Sequence, residues 1–304
     1  MLAVISCYFN PVGYASHKRK YEQFRKALPK CNYTCAEASF TGKYETDAKI
    51  KIKANDGNLL WQKERMLNIL IEQLPDKFDA VCWIDCDLIM LNPNWLRDVE
   101  TMLERYPAGQ PWRRIHFLDP QGQVTHSHPS ICWRLHNPSA KEYACPGGCW
   151  AARRDVLQHG LLDYNIVGGG DCMQVSAWAG CDYSKLLGEV INREWLDRFE
   201  DDCKLHYPLV GGSCGVAPSD CLHIYHGSRE ARGYLTRYQV LKAHNFDPAW
   251  HLEVGANGLF RWRPEAPSQI VEGVAAYFRS RREDDWPVTP PPIAPPAPPQ
   301  AKAG

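Results

Sequence analysis

Residues Phe78 to Met90 read FDAVCWIDCDLIM, an apolar and β-prone run that carries two aspartates. Such a run predicts a strand that is buried on both faces, as in a parallel sheet. Side chains alternate along a strand, so Asp85 and Asp87 are expected to point to one side and Cys86 to the other. Neighbouring carboxylates repel each other, and a divalent cation relieves that repulsion. The stretch therefore predicts a metal site at the carboxyl end of a buried strand, and the alternative is a solvated turn with two acids.

Strand-like and helix-like segments alternate on both sides of this run, which predicts an α/β fold with a mostly parallel central sheet flanked by helices. Before it, the predicted elements are a strand at residues 2–9, a helix at 17–28, a strand at 31–38 and a helix at 59–74. After it come a helix at 93–103, a strand at 115–118, a loop or acceptor-side insert at 125–140, helices starting at 155, 172 and 194, a last strand at 221–225 and a helix at 228–244.

The 304 residues carry 35 basic and 35 acidic side chains, so the chain as a whole has no general attraction for polyanions. We expect one domain over residues 1–265, with a donor half to about 120 and an acceptor half from about 121. A helical extension over 266–285 and a disordered proline-rich tail over 286–304 are expected to follow. The chain shows no secretory signal and no apolar run that could span a bilayer, so we expect a cytoplasmic protein of a bacterium or an infected host cell.

The 13 cysteines are an odd number, and their closest pairs have the spacing C-x3-C rather than that of a zinc knuckle. We therefore expect mostly buried, reduced thiols rather than disulfides or a structural zinc site.

Two further groups of residues carry potential chemistry. The predicted strand at 221–225 is followed by His226 and Gly227, an imidazole and a glycine that allows a phosphate to approach the backbone. One imidazole together with carboxylates suits Mn²⁺ better than Mg²⁺. Arg229 and Arg232 follow closely and could neutralise a diphosphate, or they could be solvated surface charges.

Gly168-Gly169-Gly170-Asp171 forms the other group. The glycines allow unusual backbone conformations and leave room for a sugar ring. Asp171 begins a predicted helix, where it could be an N-cap, a general base, or both.

The chain resembles GT-A-fold glycosyltransferases, in particular a subfamily of bacteria, phages and large viruses. The motifs that carry this resemblance, in matching order over about residues 1–262, are Y-F-N-P (8–11), L-W-Q-K-E-R-x-L-N (60–68), W-I-D-C-D-L (83–88), G-G-C-W-A-A-R-R (147–154), G-G-G-D (168–171) and H-x-x-H-G (223–227). In such enzymes the D-x-D motif and the late histidine bind the metal that holds a nucleoside diphosphate.

The resemblance implies a hexosyl- or pentosyltransferase that uses Mn²⁺ (or Mg²⁺) and a nucleoside-diphosphate sugar, with a UDP-sugar expected, and that inverts the sugar. The metal ligands are then Asp85, Asp87 and His226, and the base is Asp171. The donor-site residues are Tyr8, Phe9, Asn10, Lys63, Asp85, Gly227, Arg229 and Arg232. The acceptor-site residues are Gly169, Gly170 and Trp150.

The acceptor stays open between a glycan and a hydroxymethylated base in phage-type DNA. Basic clusters at 17–20, 113–114, 153–154 and 279–282 favour DNA, whereas the zero net charge disfavours it. The alternative function is a non-catalytic module that binds a nucleotide sugar or a glycan. A metal-dependent nucleotidyl- or phosphotransferase would need a phosphate-binding glycine loop after the first strand, where the sequence is instead Asn10-Pro11-Val12-Gly13-Tyr14.

Overall fold

The structure is a computed structural model that describes residues 1–180 and 191–285. The predicted proline-rich tail lies outside these residues. In chain order the strands are β1 (Leu2–Phe9), β2 (Tyr33–Ser39), β3 (Ile50–Lys53), β4 (Ala80–Ile84), β5 (Leu88–Met90), β6 (Ala108–Gln110), β7 (Arg114–Leu118), β8 (Val124–Pro129), β9 (Cys149–Arg153), β10 (Cys214–Val216), β11 (Asp220–His223), β12 (Leu252–Val254) and β13 (Phe260–Trp262). The helices are α1 (Ala15–Ala27), α2 (Lys63–Gln73), α3 (Trp95–Arg105), α4 (Ile131–His136), α5 (Gly170–Ala179), α6 (Arg193–Val210), α7 (Gln239–Ala243), α8 (Pro248–His251) and α9 (Ser268–Ser280).

Seven of the described strands form the central sheet, in the spatial order β10-β6-β9-β4-β1-β2-β3. β1 pairs in parallel with β2 and β4, whereas β9 runs antiparallel between β4 and β6. β1 is apolar because both of its faces are covered: Ala3 and Ile5 belong to one buried cluster, and Leu2 and Val4 belong to another. The predicted α/β class, with a mostly parallel central sheet flanked by helices, is confirmed.

The prediction of one strand over Phe78–Met90 is wrong, because the stretch forms two strands joined by a turn. β4 ends at Ile84, the Leu88 N–H donates to the Asp85 carbonyl at 3.2 Å, and β5 begins at Leu88. β5 leaves the central sheet and joins a second sheet of the order β5-β11-β7-β8. Asp85 and Asp87 therefore lie in the turn between two sheets, where the alternation of strand side chains does not apply.

Three other predicted segments also differ from the structure. The expected loop at 125–140 contains β8 and α4, because β8 is an edge strand whose polar side chains hide the apolar alternation. The helix expected at 228–244 is α-helical only in α7, and Gly233, at φ +49°, lies in the turns before it. The helix expected from Asp155 is a single 3₁₀ turn, Arg154–Leu157.

The strand predicted at 221–225 is β11, but it is not the last one, since the hairpin β12–β13 follows it. The cysteines among the described residues are free thiols. In the described part of the chain no helix is both long enough and apolar enough to cross a bilayer.

Candidate active site

Asp87, His223 and His226 come together because β11 ends beside the turn that follows β4. In the β5–β11 register His223 pairs with Leu88, and the Ile224 N–H donates to the Asp87 carbonyl at 2.8 Å. This register places Nε2 of His223 4.0 Å from Asp87 Oδ1, and Nδ1 of His226 3.6 Å from Asp87 Oδ2. One ligand atom of each of the three residues lies within 4.8 Å of the others. We call these three residues the Asp87 cluster.

The Asp87 cluster fits a divalent transition metal. Oδ1 of Asp87 is buried and accepts no hydrogen bond from the described residues, so it has a free lone pair in a place that water does not reach. Burial lowers the pKa of His223 and lowers that of His226 well below its usual value, so both imidazoles are neutral near pH 7, as metal ligands must be. One carboxylate and two imidazoles are a ligand set suited to Mn²⁺.

The Asp87 cluster differs from the predicted metal site in one member. Asp87 and His226 were predicted as ligands and lie together. Asp85 was also predicted as a ligand; its carboxylate pairs with Lys63, and its contact with a metal stays a prediction. His223 was not among the predicted ligands. Because β11 ends at His223, beside the turn that carries Asp87, His223 joins the cluster.

Lys63 lies at the start of α2 and connects two predicted site residues. Its ammonium donates to Asp171 Oδ2 at 2.8 Å and lies 2.8 Å from Asp85 Oδ1. Burial raises the pKa of the Asp85 carboxyl to about 7; Asp171 and Asp87 also raise it, whereas Lys63 opposes the shift. The pKa of the Lys63 ammonium is raised well above its usual value, because the pull of Asp171, Asp85 and Glu64 outweighs burial. Lys63 is therefore a permanent buried cation that holds Asp85 and Asp171 in fixed positions.

Glu64, the next residue of α2, is a buried carboxylate without a hydrogen-bond donor. Its side chain is 4% exposed, and neither carboxylate oxygen has a hydrogen-bond partner among the described residues. Burial raises the pKa of Glu64 to about 8; Lys63 opposes this shift, and Asp171 and Asp85 add to it. Glu64 is therefore largely protonated at neutral pH, next to the ion pair of Lys63 and Asp171.

This raised pKa predicts a pH dependence of stability. The pKa of Glu64 is near 4.5 in the unfolded chain and about 8 in the folded chain. The stabilisation that protonated Glu64 adds to the free energy of unfolding is therefore complete below pH 4.5 and is lost as the pH rises through 8. Glu64→Gln is expected to remove at least about 2 kcal/mol of the fall in unfolding free energy between about pH 5 and pH 8.5. Urea unfolding across this range measures it. Glu72→Gln, on an exposed face of the same helix, is the control, and equal pH profiles for Glu64→Gln and the wild type would contradict the assignment.

The three glycines before Asp171 allow close packing. Gly168 and Gly169 have φ of +85° and +101°, where only glycine is unstrained. A Cβ atom on Gly169 would lie 2.4 Å from the Tyr238 hydroxyl, and one on Gly170 would lie 2.4 Å from the Glu64 carboxyl group. The room that these glycines leave is thus filled by protein. The N-cap of α5 is Gly169, so the capping role considered for Asp171 is wrong: its carboxylate lies in the first helical turn and binds Lys63.

The predicted nucleoside-binding residues at the end of β1 contact other residues of the chain, and Phe9 packs against α9. Tyr8 is buried, and its hydroxyl donates to Glu45. Asn10 closes the turn after β1, since its Oδ1 accepts the Tyr14 N–H at 2.9 Å. Phe9 is half-buried, between Trp61 and Phe278 of α9, with ring centroids 5.4 and 6.5 Å away. The role of Tyr8, Phe9 and Asn10 in donor binding stays a prediction.

The remaining predicted residues lie in different surroundings. Gly227 and Arg232 adjoin the Asp87 cluster, and Arg232 Nη1 donates to the His226 carbonyl at 3.4 Å. Arg229 is exposed, and its guanidinium lies 6.0 Å from the ring centre of Tyr143. Trp150 is buried in β9, where its indole N–H donates to the Pro146 carbonyl at 2.7 Å. Acceptor contacts of Trp150, Gly169 and Gly170 stay predictions.

Charged residues that the sequence interpretation did not place in the site surround the Asp87 cluster. Lys20 of α1, Arg281 and Glu283 act on the pKa of Asp87, of His226 or of their neighbour Arg232. Glu283 lies nearly two hundred residues after Asp87, and no periodicity connects them. The basic run at 279–282 was noted only as a polyanion-binding cluster.

No protein-family model matches this chain, and no curated protein matches its sequence. Among solved structures the chain is similar to S. aureus TarS 1-349, with 11% identity, 92% of this chain and 71% of that chain covered and a TM-score of 0.37. It is similar to the galactosyltransferase LgtC in complex with donor and acceptor sugar analogues, with 10% identity, coverage of 93% and 96% and a TM-score of 0.30.

A third similarity is to a mutant of Drosophila β1,4-galactosyltransferase 7 in complex with manganese, UDP-Gal and xylobiose. The identity is 14%, the chain spans 58% of the length of that structure, 57% of this chain is covered and the TM-score is 0.25. TM-scores this low carry no argument, so the α/β class rests on the chain's own sheet order.

Proposed function

We propose that this chain is a metal-dependent glycosyltransferase of the GT-A type, which transfers a sugar from a nucleoside-diphosphate sugar to an acceptor hydroxyl. The observation that carries the proposal is that the turn between β4 and β5 contributes one aspartate to the Asp87 cluster and another to the contacts with Lys63 and Asp171. Asp87 belongs to a cluster that fits Mn²⁺, and Asp85, two residues before it, is joined through Lys63 to Asp171. A cation site and a fixed carboxylate side by side are what this transfer needs.

The Asp87 cluster is the proposed place of the donor diphosphate. Asp87, His223 and His226 would hold the metal ion, with Mn²⁺ favoured over Mg²⁺ by the two imidazoles. A bound divalent cation supplies positive charge that stabilises the negative charge developing on the leaving diphosphate. Arg232, which adjoins His226, adds a second positive charge on the same side. UDP is the proposed nucleotide.

Asp171 is the proposed general base. Its carboxylate takes the proton from the acceptor hydroxyl while that oxygen attacks the anomeric carbon from the face opposite the leaving group, which gives inversion. Lys63 acts as a positioning residue, because its ammonium fixes Asp171 Oδ2 relative to Asp85 at 2.8 Å from each. Glu64, protonated behind this pair, adds no further negative charge beside the base.

A saccharide is the proposed acceptor, in preference to modified DNA. In two of the four basic clusters that favoured DNA, one arginine is engaged within the chain. Arg114 forms two hydrogen bonds with Glu142, and Arg154 donates to main-chain carbonyls around Pro75. Paired cations release few counterions from a polyanion, so they contribute little to DNA affinity.

A thermal-shift screen of nucleotide sugars tests the metal, the donor and the enzyme class together. We expect a UDP-sugar with Mn²⁺ to raise the melting temperature by about 3 °C or more, since a ligand at a hundred times its dissociation constant adds about 2.7 kcal/mol. The UDP-sugar without Mn²⁺, and Mn²⁺ with the sugar alone, are the controls. No shift with any nucleotide sugar in the presence of Mn²⁺ or Mg²⁺ would overturn the proposal.

The alternative, a non-catalytic module that binds a nucleotide sugar, predicts the same shift without turnover. Slow hydrolysis of the donor distinguishes the enzyme from the module, because a glycosyltransferase hydrolyses its donor when water takes the place of the acceptor. Release of UDP over hours in the presence of Mn²⁺ supports the enzyme. Donor that binds and stays intact supports the module.

A further inference from the structure

Arg281 is the C-cap of α9. The four residues after it, Arg282 to Asp285, pass beside Gly227 and the Asp87 cluster, and we call them the acidic latch. Glu283, the second residue of the latch, is 2% exposed. The Glu283 carboxylate contacts Lys20 at 2.7 Å, Arg281 at 2.5 Å and Arg232 at 3.6 Å. It also contacts Nε2 of His17 at 2.6 Å. Attraction to Lys20, His17 and Arg281 outweighs burial and holds the pKa of Glu283 well below its usual range, so the carboxylate is ionised.

The cations around Glu283 exceed the charge of one carboxylate. Lys20, Arg232 and Arg281 bring three positive charges; Glu283 neutralises one of them, and Asp87, which interacts with Lys20 and Arg232, offsets a second. Arg232 is the least satisfied of the three: its Nε–H is buried without a hydrogen-bond partner among the described residues, and its contact with Glu283 is long. A buried guanidinium with unused donors is costly unless a second anion binds it. The geometry therefore provides for more negative charge than Glu283 supplies.

The latch touches the Asp87 cluster through Gly227, the residue after His226. Gly227 has φ of +99°, and a Cβ atom on it would lie 2.9 Å from the Arg281 carbonyl and 3.7 Å from Glu283 Cγ. Lys20 and Arg232 act on the pKa values of both Asp87 and His226, and Glu283 acts on both with the opposite sign. Glu283 thus places its negative charge beside the candidate metal ligands.

The latch is held by a few contacts that can open. Asp284 accepts the N–H groups of Ala15 and Ser16, at 2.7 and 2.8 Å, at the start of α1. The Tyr14 hydroxyl accepts the Arg282 N–H at 3.1 Å. Arg282 has φ of +49°, a left-handed conformation that costs a non-glycine residue about 1 kcal/mol or more. A strained segment held mainly by ionic contacts and hydrogen bonds is suited to displacement by a competing anion.

We infer that Lys20, Arg232 and Arg281 form a diphosphate site next to the metal ligands, and that Glu283 occupies this site until a donor displaces the acidic latch. The inference rests on the proposed function for the identity of the anion. The latch carboxylate then competes with the donor from within the chain, at the high effective concentration of a tethered group. Displacement of Glu283 uncovers the Asp87 cluster at the same time as the diphosphate arrives.

The experiment measures binding of inorganic pyrophosphate by calorimetry, with no metal and no sugar present. Glu283→Gln removes the competing charge and keeps the size of the side chain, so we expect it to bind pyrophosphate about tenfold more tightly than the wild type. Asp285→Asn is the matched control, because Asp285 belongs to the same segment but pairs with exposed Arg282. It should bind pyrophosphate like the wild type. A folded Glu283→Gln that binds no more tightly than the wild type overturns the inference.

Two further measurements decide the matter if Glu283→Gln does not fold. Asp284→Asn weakens the attachment of the latch to α1 and leaves the three cations intact, so it too should bind pyrophosphate more tightly, by about threefold. In the wild type, hydrogen exchange of residues 282–285 should rise when pyrophosphate is saturating, because the segment leaves its site. Unchanged affinity in Asp284→Asn, or unchanged or slower exchange in the wild type, overturns the inference.

These outcomes are separable from those of the nucleotide-sugar screen. If Glu283→Gln gains pyrophosphate affinity and no nucleotide sugar binds, the anion site stands and the glycosyltransferase proposal fails. If a UDP-sugar binds with Mn²⁺ and Glu283→Gln shows no gain, the glycosyltransferase proposal stands and the latch fails.

Discussion

Asp87→Ala is expected to reduce both Mn²⁺ affinity and sugar transfer by more than about a hundredfold. The side chain supplies the carboxylate of the Asp87 cluster. Its buried Oδ1 has no hydrogen-bond partner among the described residues, so no hydrogen bond accounts for the burial of this oxygen. Removing the carboxylate leaves two neutral imidazoles, which attract a hard divalent cation much less strongly. Calorimetry with Mn²⁺ measures the affinity directly, and UDP release from the donor measures the reaction.

Asp85→Asn is the informative comparison for Asp87→Ala. If Asp85 serves Lys63 rather than the metal, Asp85→Asn should lower Mn²⁺ affinity by less than about tenfold. The ligand set predicted from the sequence, with both aspartates on the metal, predicts a large loss of Mn²⁺ affinity for Asp85→Asn as well. Asp76→Ala, an exposed aspartate on the surface, should leave affinity and transfer unchanged. Transfer that persists in Asp87→Ala without added Mn²⁺ would exclude metal dependence.

Asp171→Asn is expected to lower the rate of transfer to the acceptor by about a thousandfold, since a positioned general base contributes factors of 10² to 10⁴. An asparagine keeps the size of the side chain and an oxygen that can accept the Lys63 hydrogen bond, but it cannot take a proton at neutral pH. The donor should therefore still bind, because the Asp87 cluster is untouched. Rates at saturating acceptor measure the loss, and the melting temperature with UDP and Mn²⁺ measures donor binding.

The control for Asp171→Asn is Asp197→Asn, an exposed residue of α6 that pairs with Arg193 and should leave transfer unchanged. Full transfer in Asp171→Asn would mean that the carboxylate only holds Lys63 in place. The configuration of the product, read from the anomeric proton signal by NMR, tests inversion separately. A product with the donor's own anomeric configuration would exclude direct attack assisted by Asp171.

The sequence by itself determined the fold class, and it predicted most of the residues of the candidate site. The apolar run at 2–9 predicts a buried strand, because a strand covered on both faces is apolar without interruption, and the run at 78–90 contains the two strands β4 and β5. The glycine run before Asp171 predicts a special backbone conformation, and Gly168 and Gly169 adopt positive φ. Local composition was sufficient for these conclusions, because the hydrophobicity and the backbone freedom of a segment are set by its own residues.

Only the tertiary structure decided which of these residues meet. The turn between β4 and β5 separates Asp85 from Asp87, and the register of β11 against β5 brings His223 to Asp87. The turn is closed locally, but the register depends on hydrogen bonds between β5 and β11, which lie more than a hundred residues apart, and no local pattern encodes it. The same holds for Glu283, whose position beside Lys20 and Arg232 follows from the packing of the chain after α9. Charge pairing in a buried site is a property of the assembled fold, because burial makes every neighbouring charge count.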